Sequence, residues 1–114
     1  MPHRDWLFRI EDILLAISTI EDYTKRLDLA QFRQSTTALE AVYYNPTIIG
    51  EAARFVPKEI EERYADIDWH KMRAMRNVLV HEYFGARLET IWQTVREDLA
   101  ALAPKLKAIQ DREG

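Results

Sequence analysis

Four polar residues of types that take part in acid–base chemistry and anion binding stand within eight positions of one another: Arg76, Asn77, His81 and Tyr83. Histidine titrates near neutral pH and can give or take a proton. Arginine presents a planar, permanently charged guanidinium that binds anions in a bidentate manner. In a helix that turns about 100° per residue, Arg76 shares a face with Tyr83, and Asn77 shares the adjacent face with His81. The four side chains can therefore converge on one edge of a helix.

The same residues also have a purely structural interpretation. His81 could be a half-buried histidine with a hydrogen-bond partner, and Arg76 could form an ion pair with an acidic residue. An apolar run, residues 78–80, lies within the polar set, and burying polar and charged side chains costs free energy unless they are paired. Residue types and spacing alone leave a functional site and a structural cluster equally open.

The chain around the cluster is basic, although the whole protein is acidic. The 114 residues carry a net charge of −3. Residues 69–87 carry +3, and the remainder carries −6. The overall negative charge argues mildly against nucleic acid as a partner, whereas the local excess of cations falls where the unusual residues lie. The basic residues of this stretch are Lys71, Arg73, Arg76 and Arg87.

Helical periodicity dominates the sequence and predicts an all-α bundle of four or five helices in a single domain, residues 1–114. A first helix is expected from Asp5 to Leu27, where apolar residues recur at three- and four-residue steps. A second helix is expected to begin near Leu29, with Asp28 as its N-cap.

Proline and glycine predict two features of the second helix. Pro46 removes a backbone donor, so we expect either a kink there or a new helix that begins at Pro46 with Asn45 as its cap. The helix should then continue to about Val56. Gly50 has no turn to make inside it, which indicates that another helix approaches closely.

The second half of the chain predicts three further helices. A short one should span Pro57 to Tyr64 with proline in its first turn. The helix that carries the polar cluster should run from Trp69 to His81 or Tyr83, with Asp66 or Asp68 as its N-cap and Gly85 at its end.

The last helix is expected from about Ala86, with Pro104 bending it but preserving its register. Its apolar residues follow a seven-residue repeat, which is typical of a helix packed along another at a shallow angle. This seam comprises Leu88, Trp92, Val95, Leu99, Leu102, Leu106 and Ile109. We expect the seam to belong to the intramolecular core, together with the three tryptophans, Trp6, Trp69 and Trp92.

The cluster, with its flanking segments, resembles a known superfamily. The spacing Arg76-Asn77-x-x-x-His81-x-Tyr83 is similar to the R-x-x-x-x-H-x-Y signature of the HEPN superfamily. Residues 49–52, with the sequence IGEA, resemble a helix of its HepT-like branch. The segment from Asp68-Trp69 into the motif, and the last helix with Trp92 and Asp98-Leu99, are similar as well. Asn45-Pro46 departs from the pattern, in which unbroken helix is expected.

The resemblance implies a toxin of a toxin–antitoxin pair that acts as a metal-independent endoribonuclease. It implies a HEPN-like homodimer with a two-fold axis, in which two copies of the motif face one cleft. Arg76 and His81 would be catalytic, Asn77 and Tyr83 would support them, and the remaining basic residues would bind RNA: Lys71, Arg73 and Arg87. The partner would be a minimal nucleotidyltransferase antitoxin that transfers AMP to Tyr83. No cofactor is expected.

Other features of the sequence narrow the alternatives. The chain has no cysteine, and His81-Glu82 is not followed by a second histidine at helical spacing, so we expect no metal site. No run of about 20 apolar residues is present, and a cytoplasmic location is expected.

One alternative function is a non-catalytic helical partner, or a nucleotide-binding module, for a nucleotidyltransferase. Another is a structural dimer that uses the last helix as its interface. Glu51 would either support the motif or form a surface or interhelical salt bridge.

Overall fold

The computed structural model describes residues 5–76 and 88–114, and within these ranges every regular element is helical. This confirms the predicted all-α class. The helices are α1 (Asp5–Thr24), α2 (Leu29–Gln34), α3 (Thr36–Ala53), α4 (Lys58–Arg63), α5 (described over residues 69–76), α6 (Leu88–Gln93) and α7 (Leu99–Glu113), with a π-helical turn (Thr94–Asp98) between the last two. None of the described helices is long and apolar enough to cross a membrane.

Helix α1 lies at the centre of the core, where it packs against α3 and α7. Its buried face consists of apolar residues at three- and four-residue steps, and burial of each such side chain contributes about 1.5–3 kcal/mol. The helix ends at Thr24, three residues before the predicted end, and the chain then turns, with the Leu27 N–H donating to the Thr24 carbonyl at 3.0 Å. The innermost residues of α1 are Ile10, Ile13, Ile17 and Ile20.

The predicted N-cap of α2 is confirmed. One carboxylate oxygen of Asp28 accepts from the Gln31 backbone N–H at 2.8 Å, and the Gln31 side chain accepts from the Asp28 N–H at 2.9 Å. This reciprocal capping box satisfies two of the free amides at the helix start. The helix is short, because Ser35 ends α2 and caps α3 by accepting from the Ala38 N–H at 3.2 Å.

Of the two alternatives at Pro46, a new helix that begins there is wrong: α3 continues through Pro46 to Ala53. Asn45 does not act as a cap. Its side-chain amide donates to the Ala41 carbonyl at 2.9 Å, inside the helix. Proline in a helix interior costs about 3 kcal/mol, but Val42 and Ile49 on either side are fully buried, and their burial offsets this cost. The chain instead changes from one helix to the next at Ser35.

A short connection joins α4 to α5. Pro57 occupies the position before α4 rather than its first turn, and α4 ends at Arg63. Asp68, not Asp66, caps α5, because its carboxylate accepts from the Lys71 backbone N–H at 2.9 Å. The indole N–H of Trp69 donates to the Tyr64 carbonyl at 3.1 Å, which anchors the start of α5 to the preceding turn.

The predicted last helix is interrupted by the π-helical turn between α6 and α7. The Leu99 N–H bonds the Thr94 carbonyl five residues earlier, and this wider turn shifts which residues face the core. Ile91, absent from the predicted seam, is buried, whereas Trp92 is only partly buried and packs its ring 4.9 Å from that of Phe32. The fully and nearly fully buried members of the seam are Val95, Leu99, Leu106 and Ile109. They lie in the core of the chain, so the seam is intramolecular as predicted.

Candidate active site

Helix α5 carries the part of the polar cluster that the structure describes. Trp69, Met72 and Met75 are buried at three-residue steps, which fixes the rotation of α5 about its axis. The same rotation leaves Lys71 and Arg76 exposed and Arg73 partly exposed. The other predicted site residues, Asn77, His81, Tyr83 and Arg87, lie outside the described residues.

Arg76 is held at the surface by an ion pair with a residue of another helix. Its guanidinium donates to the carboxylate of Glu51, 25 positions earlier on α3. The Arg76 side chain is 48% exposed and that of Glu51 is 39% exposed. Of the two roles proposed for Glu51, the interhelical salt bridge is confirmed, and its partner is the arginine of the motif.

Glu51 contacts a second guanidinium as well. Arg54, three residues later, donates to the same carboxylate at 3.0 Å. The acidic side chain therefore lies between two arginines, and the three residues together carry a net charge of +1. Sequence reasoning missed Arg54, although its spacing of three from Glu51 is that of a helical ion pair.

Gly50 brings α3 against α5 at the position of Arg76. A Cβ atom at residue 50 would lie 2.9 Å from the Arg76 Cβ and 3.0 Å from the Arg73 carbonyl oxygen. Ordinary van der Waals contact begins near 3.4 Å, so only glycine fits without displacing the α5 backbone. The close helix approach predicted from Gly50 is confirmed, and α5 is the helix that approaches.

The other two described cations of α5 also have acidic partners. Arg73 forms an ion pair with Glu61 of α4, and Lys71 forms one with Asp98 in the π-helical turn at 3.1 Å. These partners are 12 and 27 positions away in the sequence, so no local pattern could have identified them. The positive stretch seen in the sequence is thus partly neutralised in the fold.

The ion pairs also divide the described cations of α5 into two groups. Arg73 and Arg76 reach towards α4 and α3, whereas Lys71 reaches towards the π-helical turn. Exposed ion pairs contribute only about 0–1 kcal/mol each. An anionic ligand could therefore replace the Asp98 carboxylate at Lys71 at little energetic cost, since both side chains are exposed. The Arg73–Glu61 pair is largely buried, with side chains only 33% and 21% exposed.

Two further features of the described part of the chain bear on a site. His70, in the first turn of α5, is exposed. Within residues 5–76 and 88–114, no group of three histidine, aspartate or glutamate side chains is arranged to hold a metal ion. An open groove of about 900 Å³ between α1 and the first half of α3 is lined by Tyr23 and Tyr44 among others, but none of the described cations of α5 lines it.

Most of the chain is similar to one known protein family. Residues 13–109 match the family model described as "Ribonuclease HepT-like". The chain is 34% identical over 108 residues to "Probable ribonuclease HepT" of Thermococcus cleftensis, covering 95% of this chain and 96% of that protein.

Other relatives are similar over comparable lengths. The chain is 33% identical over 115 residues to "Putative RNase MJ1216" of Methanocaldococcus jannaschii, covering 100% of this chain and 95% of the relative. It is 30% identical over 104 residues to "Putative RNase TTE0752" of Caldanaerobacter subterraneus, covering 91% and 93%. No solved structure gave a significant match.

Proposed function

The chain belongs to the HepT-like family, and from this membership we propose that it is a metal-independent endoribonuclease acting as the toxin of a toxin–antitoxin system. The observation that carries the proposal is that the family match spans the whole R-x-x-x-x-H-x-Y segment. The exposed guanidinium of Arg76 at the start of that segment supports it. The names of the relatives, all of which refer to ribonucleases, agree with it.

The proposed reaction uses proton transfer and charge stabilisation by side chains alone. A base removes the proton of the ribose 2′-hydroxyl, whose oxygen attacks the adjacent phosphorus, and an acid protonates the departing 5′-oxygen. Histidine suits either role at neutral pH. Two His81 side chains, one from each subunit of a homodimer, would supply both. Arg76 would bind the phosphate in a bidentate manner and stabilise charge that develops in the transition state.

The neighbouring residues would support this chemistry. Asn77 would orient His81 or the phosphate, and Tyr83 would stack on a base or donate to the phosphate. Lys71, Arg73 and Arg87 would bind the RNA backbone. The structure supports the role of Lys71 in one respect: its ion pair with Asp98 is exposed, and such pairs contribute little free energy.

A cleavage assay on total RNA and tRNA, with EDTA present, tests the proposal. We expect wild type to cut and both Arg76→Ala and His81→Ala to lose at least 99% of the rate, because removing a catalytic proton-transfer group or an oxyanion contact costs about 10²-fold or more. His70→Ala and Arg26→Ala, which alter exposed residues outside the proposed site, should cut like wild type. Cleavage by His81→Ala at the wild-type rate would refute the assigned mechanism.

The same assay separates the alternative function. If freshly purified, unmodified wild-type protein cuts no RNA, the ribonuclease proposal is wrong, and the chain acts as a non-catalytic partner or nucleotide-binding module for a nucleotidyltransferase. Loss of wild-type cleavage in EDTA, restored by a divalent cation, would contradict the metal-independent mechanism.

We further propose that a minimal nucleotidyltransferase antitoxin inactivates the protein by transferring AMP to Tyr83. The adduct would add bulk and negative charge near Arg76 and so block and neutralise the phosphate-binding site. Intact mass spectrometry after incubation with ATP and the antitoxin should show AMP addition to wild type and none to Tyr83→Phe. An unmodified wild-type protein under these conditions would contradict the proposal.

A further inference from the structure

We propose that Glu51 is a positioning residue for Arg76: its carboxylate, shared with Arg54, holds the Arg76 guanidinium in the orientation in which it binds the RNA phosphodiester. This inference rests on the proposed ribonuclease function and extends it to a residue 25 positions upstream of the motif. Glu51 does not touch the substrate in this proposal and acts only through Arg76.

The backbone contact between α3 and α5 fixes the distance between the two partners. Gly50, immediately before Glu51, lies against the Arg76 Cβ and the Arg73 carbonyl. The side chains of Glu51 and Arg76 therefore start from points on two helices whose separation is fixed. An ion pair between long side chains normally loses much of its energy to the entropy of ordering them. Here the fixed separation of the helices already limits the geometries open to the two side chains, so less entropy is lost when the ion pair forms.

Arg54 neutralises the Glu51 carboxylate, which would otherwise repel a phosphate bound to Arg76. A lone Glu51 next to Arg76 would cancel the positive charge that binds RNA. With Arg54 on the same carboxylate at 3.0 Å, the group Arg54–Glu51–Arg76 keeps a net charge of +1. The pairs Arg73–Glu61 and Lys71–Asp98 each sum to zero. When Arg76 binds the phosphate, Glu51 remains neutralised by Arg54.

The exposure of the group makes it accessible to RNA. The side chains of Arg54, Glu51 and Arg76 are 55%, 39% and 48% exposed. A phosphate can thus approach Arg76 without any rearrangement of the core. Because the carboxylate orients Arg76 but also competes with the phosphate, its removal should slow the chemical step without weakening substrate binding.

The test compares Glu51→Gln with wild type, using a fluorescein-labelled RNA oligonucleotide of mixed sequence well below the melting temperature of each protein. We expect kcat to fall about tenfold or more, because a misplaced catalytic group costs this much or more, while KM stays unchanged or falls. A fall in kcat at unchanged KM indicates loss of an interaction made only in the transition state, whereas a fall in KM as well reports removal of the carboxylate that competes with the phosphate. Glu51→Asp, which keeps the charge on a shorter side chain, should recover part of kcat.

Glu113→Gln is the matched control, since it removes the charge from another interhelical ion pair, that with Arg63. It should lower the melting temperature yet leave kcat and KM at wild-type values. If wild type cuts RNA and Glu51→Gln has the wild-type kcat, the positioning role is wrong and the proposed function stands. A purely structural role of Glu51 would give a different result. In that case kcat falls in proportion to the fraction of active protein, KM stays constant, and Glu51→Asp is no better than Glu51→Gln. If wild type itself does not cut, the proposed function fails, and this inference fails with it.

Discussion

Arg76 illustrates how one side chain can serve the fold and a proposed site. Its backbone lies against Gly50, its guanidinium is bound to Glu51, and almost half of the side chain remains exposed. A surface arginine without such contacts would sample many rotamers and lose side-chain entropy on binding a phosphate. The contacts with α3 would reduce that loss in advance if Arg76 binds a phosphate as proposed.

At the residue scale, we predict that Gly50→Ala destabilises the protein and impairs cleavage. The added Cβ would meet the Arg76 Cβ at 2.9 Å, and overpacking costs about 1–3 kcal/mol. The helix propensity of alanine returns up to about 1 kcal/mol, which leaves a net loss of about 1 kcal/mol. Denaturant unfolding and the cleavage assay measure the two effects.

Ala101→Gly serves as the control for Gly50→Ala, because it alters an exposed position in α7. It should cost up to about 1 kcal/mol through helix propensity alone, with no change in cleavage. If Gly50→Ala is at least as stable as wild type and cleaves RNA at the wild-type rate, α3 and α5 can move apart at no cost, and the prediction is wrong.

At the scale of the elements, the π-helical turn determines which side of the last helical segment is buried. Ile91 and Leu99 are each 1% exposed although they are eight residues apart. In a regular α-helix, such residues would point about 80° apart. The turn at Thr94–Asp98 absorbs one extra residue, so both side chains reach the same core.

We therefore predict that deletion of Glu97 is tolerated, whereas deletion of Ala101 is not. Removing Glu97 leaves Ile91 and Leu99 seven positions apart, which places them within about 20° of one face in a regular α-helix. The loss is confined to an exposed hydrogen bond from Gln93. Removing Ala101 rotates the buried residues Leu106 and Ile109 by about 100° away from the core.

Thermal melts monitored by circular dichroism compare the two deletions. The Glu97 deletion should retain a cooperative transition within a few degrees of wild type, and the Ala101 deletion should lose it or melt far lower. Equal destabilisation by both deletions would mean that the π-helical turn does not accommodate the extra residue, and the prediction would be wrong.

At the scale of the whole molecule, the C-terminal end of α7 is tied to the turn that precedes α5. The Glu113 carboxylate accepts from the Tyr64 hydroxyl at 2.6 Å and from Arg63 at 2.8 Å. These hydrogen bonds lower the pKa of Glu113 below 4.5 and raise the pKa of Tyr64 above 10.0. These hydrogen bonds connect residues about 50 positions apart. They hold the end of α7 near the start of the helix that carries the motif.

The sign of the pKa shifts predicts how Glu113→Gln behaves. Because folding lowers the pKa of Glu113, its stabilising contribution is present above the unfolded value of 4.5 and is lost as the pH falls through the folded value. The variant should be less stable than wild type at pH 7, and the difference should shrink below about pH 4.5. Because folding raises the Tyr64 pKa, the contribution of its neutral form persists from neutral pH to pH 10.0 and is lost above the folded value.

Urea unfolding of wild type and Glu113→Gln across the acid range checks this prediction. Glu62→Gln, at an exposed position of the neighbouring helix, is the control and should track wild type at every pH. A difference between Glu113→Gln and wild type that stays constant down to pH 2 would contradict the assigned cause.

The sequence by itself determined what depends on residues close together in the chain. The caps at Asp28 and Asp68 act over three residues, and the helical periodicity of α1 acts over one or two turns, so both follow from local geometry. Gly50 also predicted a close helix contact, because only a neighbour explains a glycine inside a helix.

Only the tertiary structure decided which distant groups meet. The pairing of Arg76 with Glu51, of Arg73 with Glu61 and of Lys71 with Asp98 joins residues 12 to 27 positions apart. Helix α3 passes through Pro46 because buried neighbours outweigh the local cost of proline. The π-helical turn exists because the core requires Ile91 and Leu99 on one side. In each case a long-range contact, which local propensity does not encode, overrides or completes the local preference.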